Sequence, residues 1–175
     1  MRISEPNSYK VKVENGKCRC VEANNQLAKV FVPPDTADNC PKLYVVKQGE
    51  EIVYVGITKQ DIRKRLRHGM TARGEHGYNG YKWKHLPEVE LLIWTFPGGK
   101  IEDAEAIEGE VVYFIRDRTG KWPKYQMEIH FHPRASEGER QIARSILNEV
   151  LNSRDTIPIR PTTNQVLCPR VMCSE

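Results

Sequence analysis

No stretch of this chain is apolar for the length of a bilayer's hydrocarbon core, so a helical membrane span is not its organising feature. No apolar signal segment opens it, and its five cysteines (Cys18, Cys20, Cys40, Cys168 and Cys173) are an odd number. Both observations argue against a secreted disulfide scaffold and lead to the expectation of a reducing, cytoplasmic setting. The usual zinc spacing is missing too. Cys18 and Cys20 are separated by one residue, where structural zinc sites use two or more. Ordinary thiols are therefore the default, and a zinc-binding structural or regulatory protein is the lesser alternative. No internal repeat is visible.

Acid is scarce in one place. Between Gln60 and His85 only Asp61 and Glu75 stand against Arg63, Lys64, Arg65, Arg67, Arg73, Lys82 and Lys84. The whole chain carries a formal charge of only +4, so placement matters more than total. Such a run is either a solvated helix face or the footprint of a polyanion. With 175 residues, 39% of them hydrophobic, the chain has enough for one domain with an added arm.

Periodicity sets out the elements. "YKVKV" (Tyr9 to Val13) and "AKVFV" (Ala28 to Val32) read as strands, the second stopped by Pro33-Pro34. "LYVVK" (Leu43 to Lys47) and "IVYVG" (Ile52 to Gly56) read as a hairpin turning at Gly49. Thr58 can cap a helix from Lys59 to Gly69 whose apolar side holds Ile62 and Leu66. "VELLIWTF" (Val89 to Phe96) should be a central strand. Two helices follow. One runs from Asp103 to Arg118 with Asp103 as N-cap; the other runs from Ser136 to Asn152 with a Ser136–Glu139 capping box. The expected fold is α/β (α+β): a small three-stranded, mainly antiparallel sheet flanked by helices. Residues 1–41 would form a β-rich arm, 42–134 the core, and 135–175 a C-terminal helix and tail.

Tyr44 and Tyr54 sit on neighbouring strands, and a helix crowded with arginine follows at once. In an antiparallel hairpin, side chains on one face recur every second residue, and twist can bring both phenols to one pocket. A guanidinium beside a phenol helps it relay protons and can hold a phosphate through two hydrogen bonds. A glutamate on a helix across the sheet would supply an oxygen ligand for magnesium. The plain alternatives are strand aromatics, a surface arginine paired with Asp61, and one solvated glutamate among Glu102, Glu105, Glu108 and Glu110. His130 and His132 alternate as strand neighbours, and "GEHGYNGYKWKHL" (Gly74 to Leu86) interleaves glycine, aromatics and cations. That loop suits either a contact along DNA or a cap over the sheet with Trp83 in the core.

The ordered set resembles the GIY-YIG nuclease superfamily, in its restriction-enzyme-like branch. "LYV" (Leu43 to Val45) stands for the first tag and "YVG" (Tyr54 to Gly56) for the second. "IRKRL" supplies Arg65 before Leu66, and "EGEVV" supplies Glu108 before Val111 and Val112. The resemblance covers about half the chain, roughly Leu43 to Glu128. Leu43 departs from the first tag's glycine, and the loop after Gly56 is one residue longer. Where the family carries a histidine or tyrosine one turn after the arginine, this chain has Gly69. His68, one place early, takes that role here, with His76, Tyr78, Tyr81 and His85 as alternatives. Gln126 or Glu128 stands near the family's late asparagine.

What the resemblance implies is a metal-dependent endonuclease acting on DNA phosphodiester bonds. Tyr44, Tyr54, Arg65, His68 and Glu108 would be catalytic. Glu108 would hold Mg²⁺ or Mn²⁺, and Tyr44 or Tyr54 would act near the attacking water. Lys59, Arg63, Lys64, Arg67, Arg73, Tyr81, Lys82 and Lys84 would contact DNA. A catalytically inactive nucleic-acid-binding module of the same fold is the alternative. RNA as substrate and a dimer as assembly stay open.

Overall fold

The computed structural model describes residues 2–74, 80–127 and 135–152. Its strands are β1 (Asn7–Glu14), β2 (Lys17–Ala23), β3 (Gln26–Leu27), β4 (Lys42–Gln48), β5 (Glu51–Thr58) and β6 (Glu88–Thr95). Its helices are α1 (Ile62–Thr71), α2 (Ile101–Thr119) and α3 (Glu137–Asn152), with a 3₁₀ turn at Lys82–His85. Among the described residues, no helix is long and apolar enough to cross a membrane.

All six strands join one sheet, in the order β3-β2-β1-β6-β4-β5, and every pairing is antiparallel. The expected three-stranded sheet is therefore wrong. A sheet ending at β6 would leave that strand's outer N–H and C=O groups unpaired. β1 takes that edge instead, pairing Asn7–Lys12 against Glu88–Ile93. The arm's strands are thus continuous with the sheet. "AKVFV" is not a strand: only Gln26 and Leu27 pair, against Glu22 and Ala23. Phe31 instead turns inward onto the Tyr9 ring, with centroids 4.8 Å apart. β2 was not anticipated at all.

Alternation divides the sheet into two faces. Tyr9, Val11, Tyr44, Val46, Leu91 and Ile93 pack with Ile62, Leu66 and Met70 of α1 and with Trp83. Leu43, Val45, Val55, Leu92 and Trp94 pack with Ile107, Val111, Ile115, Ile146 and Val150 of α2 and α3. The hairpin turns at Gly49, whose φ of +57° a side chain rarely adopts. A register shift after Val46 leaves Val53 as the extra residue, and both flanks of β5 stay in phase.

The helix starts differ in detail from the sequence reading. Asp61, not Thr58, caps α1, its carboxylate accepting from Arg63 N at 2.8 Å. Thr58 Oγ1 accepts from Gln60 N one turn earlier. The loop at 33–41 braces this end, with Asp61 N donating to Asp38 Oδ1 and Ile62 N to Asp35 O. Lys42 is fully buried there, and its ammonium donates to the carbonyls of Ala37, Cys40 and Gln60. α2 begins at Ile101 after Lys100, and Asp103 accepts from Lys100 N. The Ser136–Glu139 capping box is formed in both directions.

Candidate active site

The site grows from one missing side chain. Register sets Tyr44 directly opposite Gly56, and Tyr54 stands two residues before Gly56 on the same face. A Cβ on Gly56 would lie 2.6 Å from the Tyr44 hydroxyl and 2.7 Å from the Tyr54 ring. Glycine thus lets the two phenols close over the strand, with ring centroids 6.0 Å apart. Arg65, half-buried on α1 beside the stripe of Ile62, Leu66 and Met70, donates from Nε to the Tyr44 hydroxyl at 3.3 Å. Three of the predicted catalytic groups therefore converge on the α1 face.

A third aromatic, and fourth group, completes the cluster. Tyr81, expected to lie along DNA, is buried instead, with its hydroxyl 2.8 Å from that of Tyr44. Its ring packs edge-on to Tyr54, stacks on Trp83, and lies 5.6 Å below the Arg65 guanidinium carbon. Burial, with Tyr44 alongside, pushes the Tyr81 phenol well above its ordinary range, so it stays protonated. The signal in the sequence was Gly69, one turn after Arg65. A Cβ there would sit 2.1 Å from the Tyr81 ring. The α1 glycine is a seat for the tyrosine rather than a helix end.

Glu108 comes from the opposite layer, so the four groups do not share one face. It stands half-buried on α2 between Ile107 and Gly109, where α2 packs against β5, the strand at the sheet's edge. Burial pushes its carboxyl up to about 8, while the Arg65 charge pulls the other way and Glu105 adds to the push. The Arg65 charge on α1 is thus felt at Glu108 in the other layer. Among the described residues, no three His, Cys, Asp or Glu side chains cluster. One hard, half-buried carboxylate does not make a closed zinc site. It does fit Mg²⁺ or Mn²⁺, which keep most of their shell as water and substrate phosphate. A cation there would also offset the penalty that burial puts on the Glu108 charge.

The remaining predicted residues separate. His68 is on the exposed side of α1. His85 shares a 3.0 Å hydrogen bond with the Tyr125 hydroxyl. Arg63 closes on its own cap, its Nε 3.0 Å from both Asp61 oxygens, which holds the Asp61 carboxyl below its ordinary value. Lys64 pairs with Asp38 at 2.6 Å on the surface. Lys84 donates to the Ala72 carbonyl just past the end of α1. Lys59, Arg67, Arg73 and Lys82 are exposed. Gln126 accepts from Val55 N at 3.0 Å while Tyr125 N donates to Val53 O, so this segment closes part of the β5 edge beside the second tag. His76, Tyr78, Glu128, His130, His132, Cys168 and Cys173 lie outside the described residues.

Comparison of the chain with protein-family models, with curated proteins and with solved structures returns no match.

Proposed function

We propose that this chain is a metal-dependent endonuclease that hydrolyses DNA phosphodiester bonds with a GIY-YIG-type site. The observation that carries the reading is the Arg65 Nε bond to the Tyr44 hydroxyl above Gly56, with Tyr54 alongside and the Arg65 charge felt at Glu108. Only some of these groups can meet substrate. Tyr44 is sealed from solvent, whereas Tyr54 and Arg65 are part-exposed. Tyr54 therefore orients the attacking water through its hydroxyl, and Tyr44 works behind it. Arg65 offsets the charge that builds on the phosphate oxygens, a contribution of about 3–4 kcal/mol for such groups. Glu108 would hold Mg²⁺ or Mn²⁺, which when bound supplies Lewis-acid polarisation of the phosphate. Lys59, Arg67, Arg73 and Lys82 contact backbone phosphates and fix register rather than sequence.

A non-cleaving DNA-binding module of the same fold is favoured by one observation, the burial of Tyr44 and Tyr81. Supercoiled plasmid with Mg²⁺ separates the two. Nicking or linearisation by the native protein, lost in Glu108→Ala and in EDTA, supports the nuclease. Plasmid binding without cleavage in Mg²⁺ and in Mn²⁺ overturns it.

A further inference from the structure

Tyr81 is reached by an unusual piece of chain. Its backbone N–H donates to the Gly69 carbonyl at 2.8 Å, and Gly80 before it has a φ of +72°. A Cβ on Gly80 would stand 2.3 Å from that same carbonyl, and one on Gly69 would enter the Tyr81 ring. Two glycines are therefore needed to bring this loop against α1. The ring stacks on Trp83 at 4.7 Å, which fixes its plane. The result is a line of three polar groups, buried at its tyrosine end: Tyr81 hydroxyl, Tyr44 hydroxyl and Arg65 Nε, joined at 2.8 and 3.3 Å.

We infer that Tyr81 is a positioning residue that aims the Arg65 guanidinium through the Tyr44 hydroxyl; this rests on the nuclease reading above. Tyr44 oxygen accepts from Arg65 Nε–H, which leaves one more lone pair and one proton to satisfy in a dry site. Tyr81 hydroxyl, 2.8 Å away, satisfies one of the two. Without that partner, the Tyr44 O–H is free to swing about its C–O bond, and the lone pair that Arg65 bonds is no longer held towards Nε. Arg65 cannot lose its proton, so orientation is what this line of groups can control. Tyr81, at 2% exposure, touches no substrate and acts only through the other two. A purely structural tyrosine would need only its ring, which phenylalanine supplies.

Tyr81→Phe keeps the ring stacked on Trp83 and removes the hydroxyl. Its kcat on plasmid should fall by about tenfold to a hundredfold, the range expected when a catalytic group is misaimed, with KM within about twofold. Placed on Arg65→Ala, the same change should cost nothing further, because the group it positions is gone. Gly69→Ala, which displaces the ring, should lower kcat in the native background and not in Tyr81→Phe. A second readout does not depend on cleavage. In ¹⁵N-arginine-labelled protein, the Arg65 Nε–H should exchange slowly with water and speed up in Tyr81→Phe.

Full cleavage by Tyr81→Phe, with Glu108→Ala inactive, overturns the inference and leaves the nuclease reading standing. Additive losses in the Arg65→Ala background overturn it in the same way. If the native protein does not cleave at all, the nuclease reading fails, and unchanged Arg65 Nε–H exchange in Tyr81→Phe then rejects the positioning role on its own.

Discussion

The two faces of the sheet are packed from different chemistry. The face under α2 and α3 is mostly aliphatic: Leu43, Val45, Val55, Leu92, Ile107, Val111 and Ile146. The face under α1 carries Tyr9, Tyr44, Tyr54, Tyr81, Phe31 and Trp83. An aliphatic interior is held by volume and does not fix direction beyond that. Buried hydroxyls must each find a partner, and so they fix angles as well as distances. Tyr9 donates to Asp35 at 2.7 Å, and Tyr44 meets Tyr81 and Arg65. Both faces hold the protein together; the α1 face, on the proposed reading, also aims a guanidinium. Glu108 stands at the seam, on a helix of the first face and under the influence of a charge from the second.

That division breaks down if rate and stability move together. Arg65→Ala should lower plasmid cleavage by about a hundredfold to a thousandfold, equivalent to about 3–4 kcal/mol, while the melting temperature barely changes. Ile107→Ala, which empties a site with no solvent exposure, should do the reverse. Its cost should be about 2–5 kcal/mol in a urea or thermal titration, with kcat per folded molecule preserved. Loss of cleavage by Ile107→Ala in proportion to nothing but rate would erase the contrast.

Smaller changes sharpen it. Asp61→Ala removes the α1 cap and should cost about 1 kcal/mol. The Asp61 carboxyl is held below its unfolded value by Arg63, so its contribution is present above about pH 4 and disappears as the pH falls through the lower folded value. Melting curves of the two proteins should therefore draw together in acid. The smallest effect should come from Lys82→Ala, which leaves chemistry alone and reduces the salt slope of DNA binding by about one. An unchanged slope would remove Lys82 from the interface.

Much of the aliphatic face was legible in order along the chain. The hairpin "LYVVK"–"IVYVG", the run "VELLIWTF" and the two long helices carry strong local periods, and their structures follow within a few residues. The phenols were legible too, since period two and the hairpin register place Tyr44 and Tyr54 on one face. What failed was non-local. β2 reads "KCRCVEA", where charge and thiol mask the alternation, and nothing near Asn7 announces a partner more than eighty residues away on β6. The basic run hid its own divisions. Arg63 and Arg65 look alike in sequence, yet a helix turns one to the cap and the other to the sheet. Tyr81 sits in a loop whose composition fits either DNA or core, and only the space over Gly69 decides between them.

The most direct test of the seam is Glu108→Gln, measured for both properties in one preparation. Burial pushes its folded carboxyl up to about 8, above the ordinary value of about 4.5. Ionised Glu108 therefore costs stability, increasingly from about pH 4 to pH 8 and fully above. In metal-free buffer at pH 8 or higher, Glu108→Gln should be more stable by about 1–2 kcal/mol after solvent screening. The gain should shrink towards pH 4, and Mg²⁺-dependent cleavage should be lost throughout. A variant that melts lower than the native protein at pH 8, or that still cuts plasmid, would contradict a charged carboxylate held at a cost for catalysis.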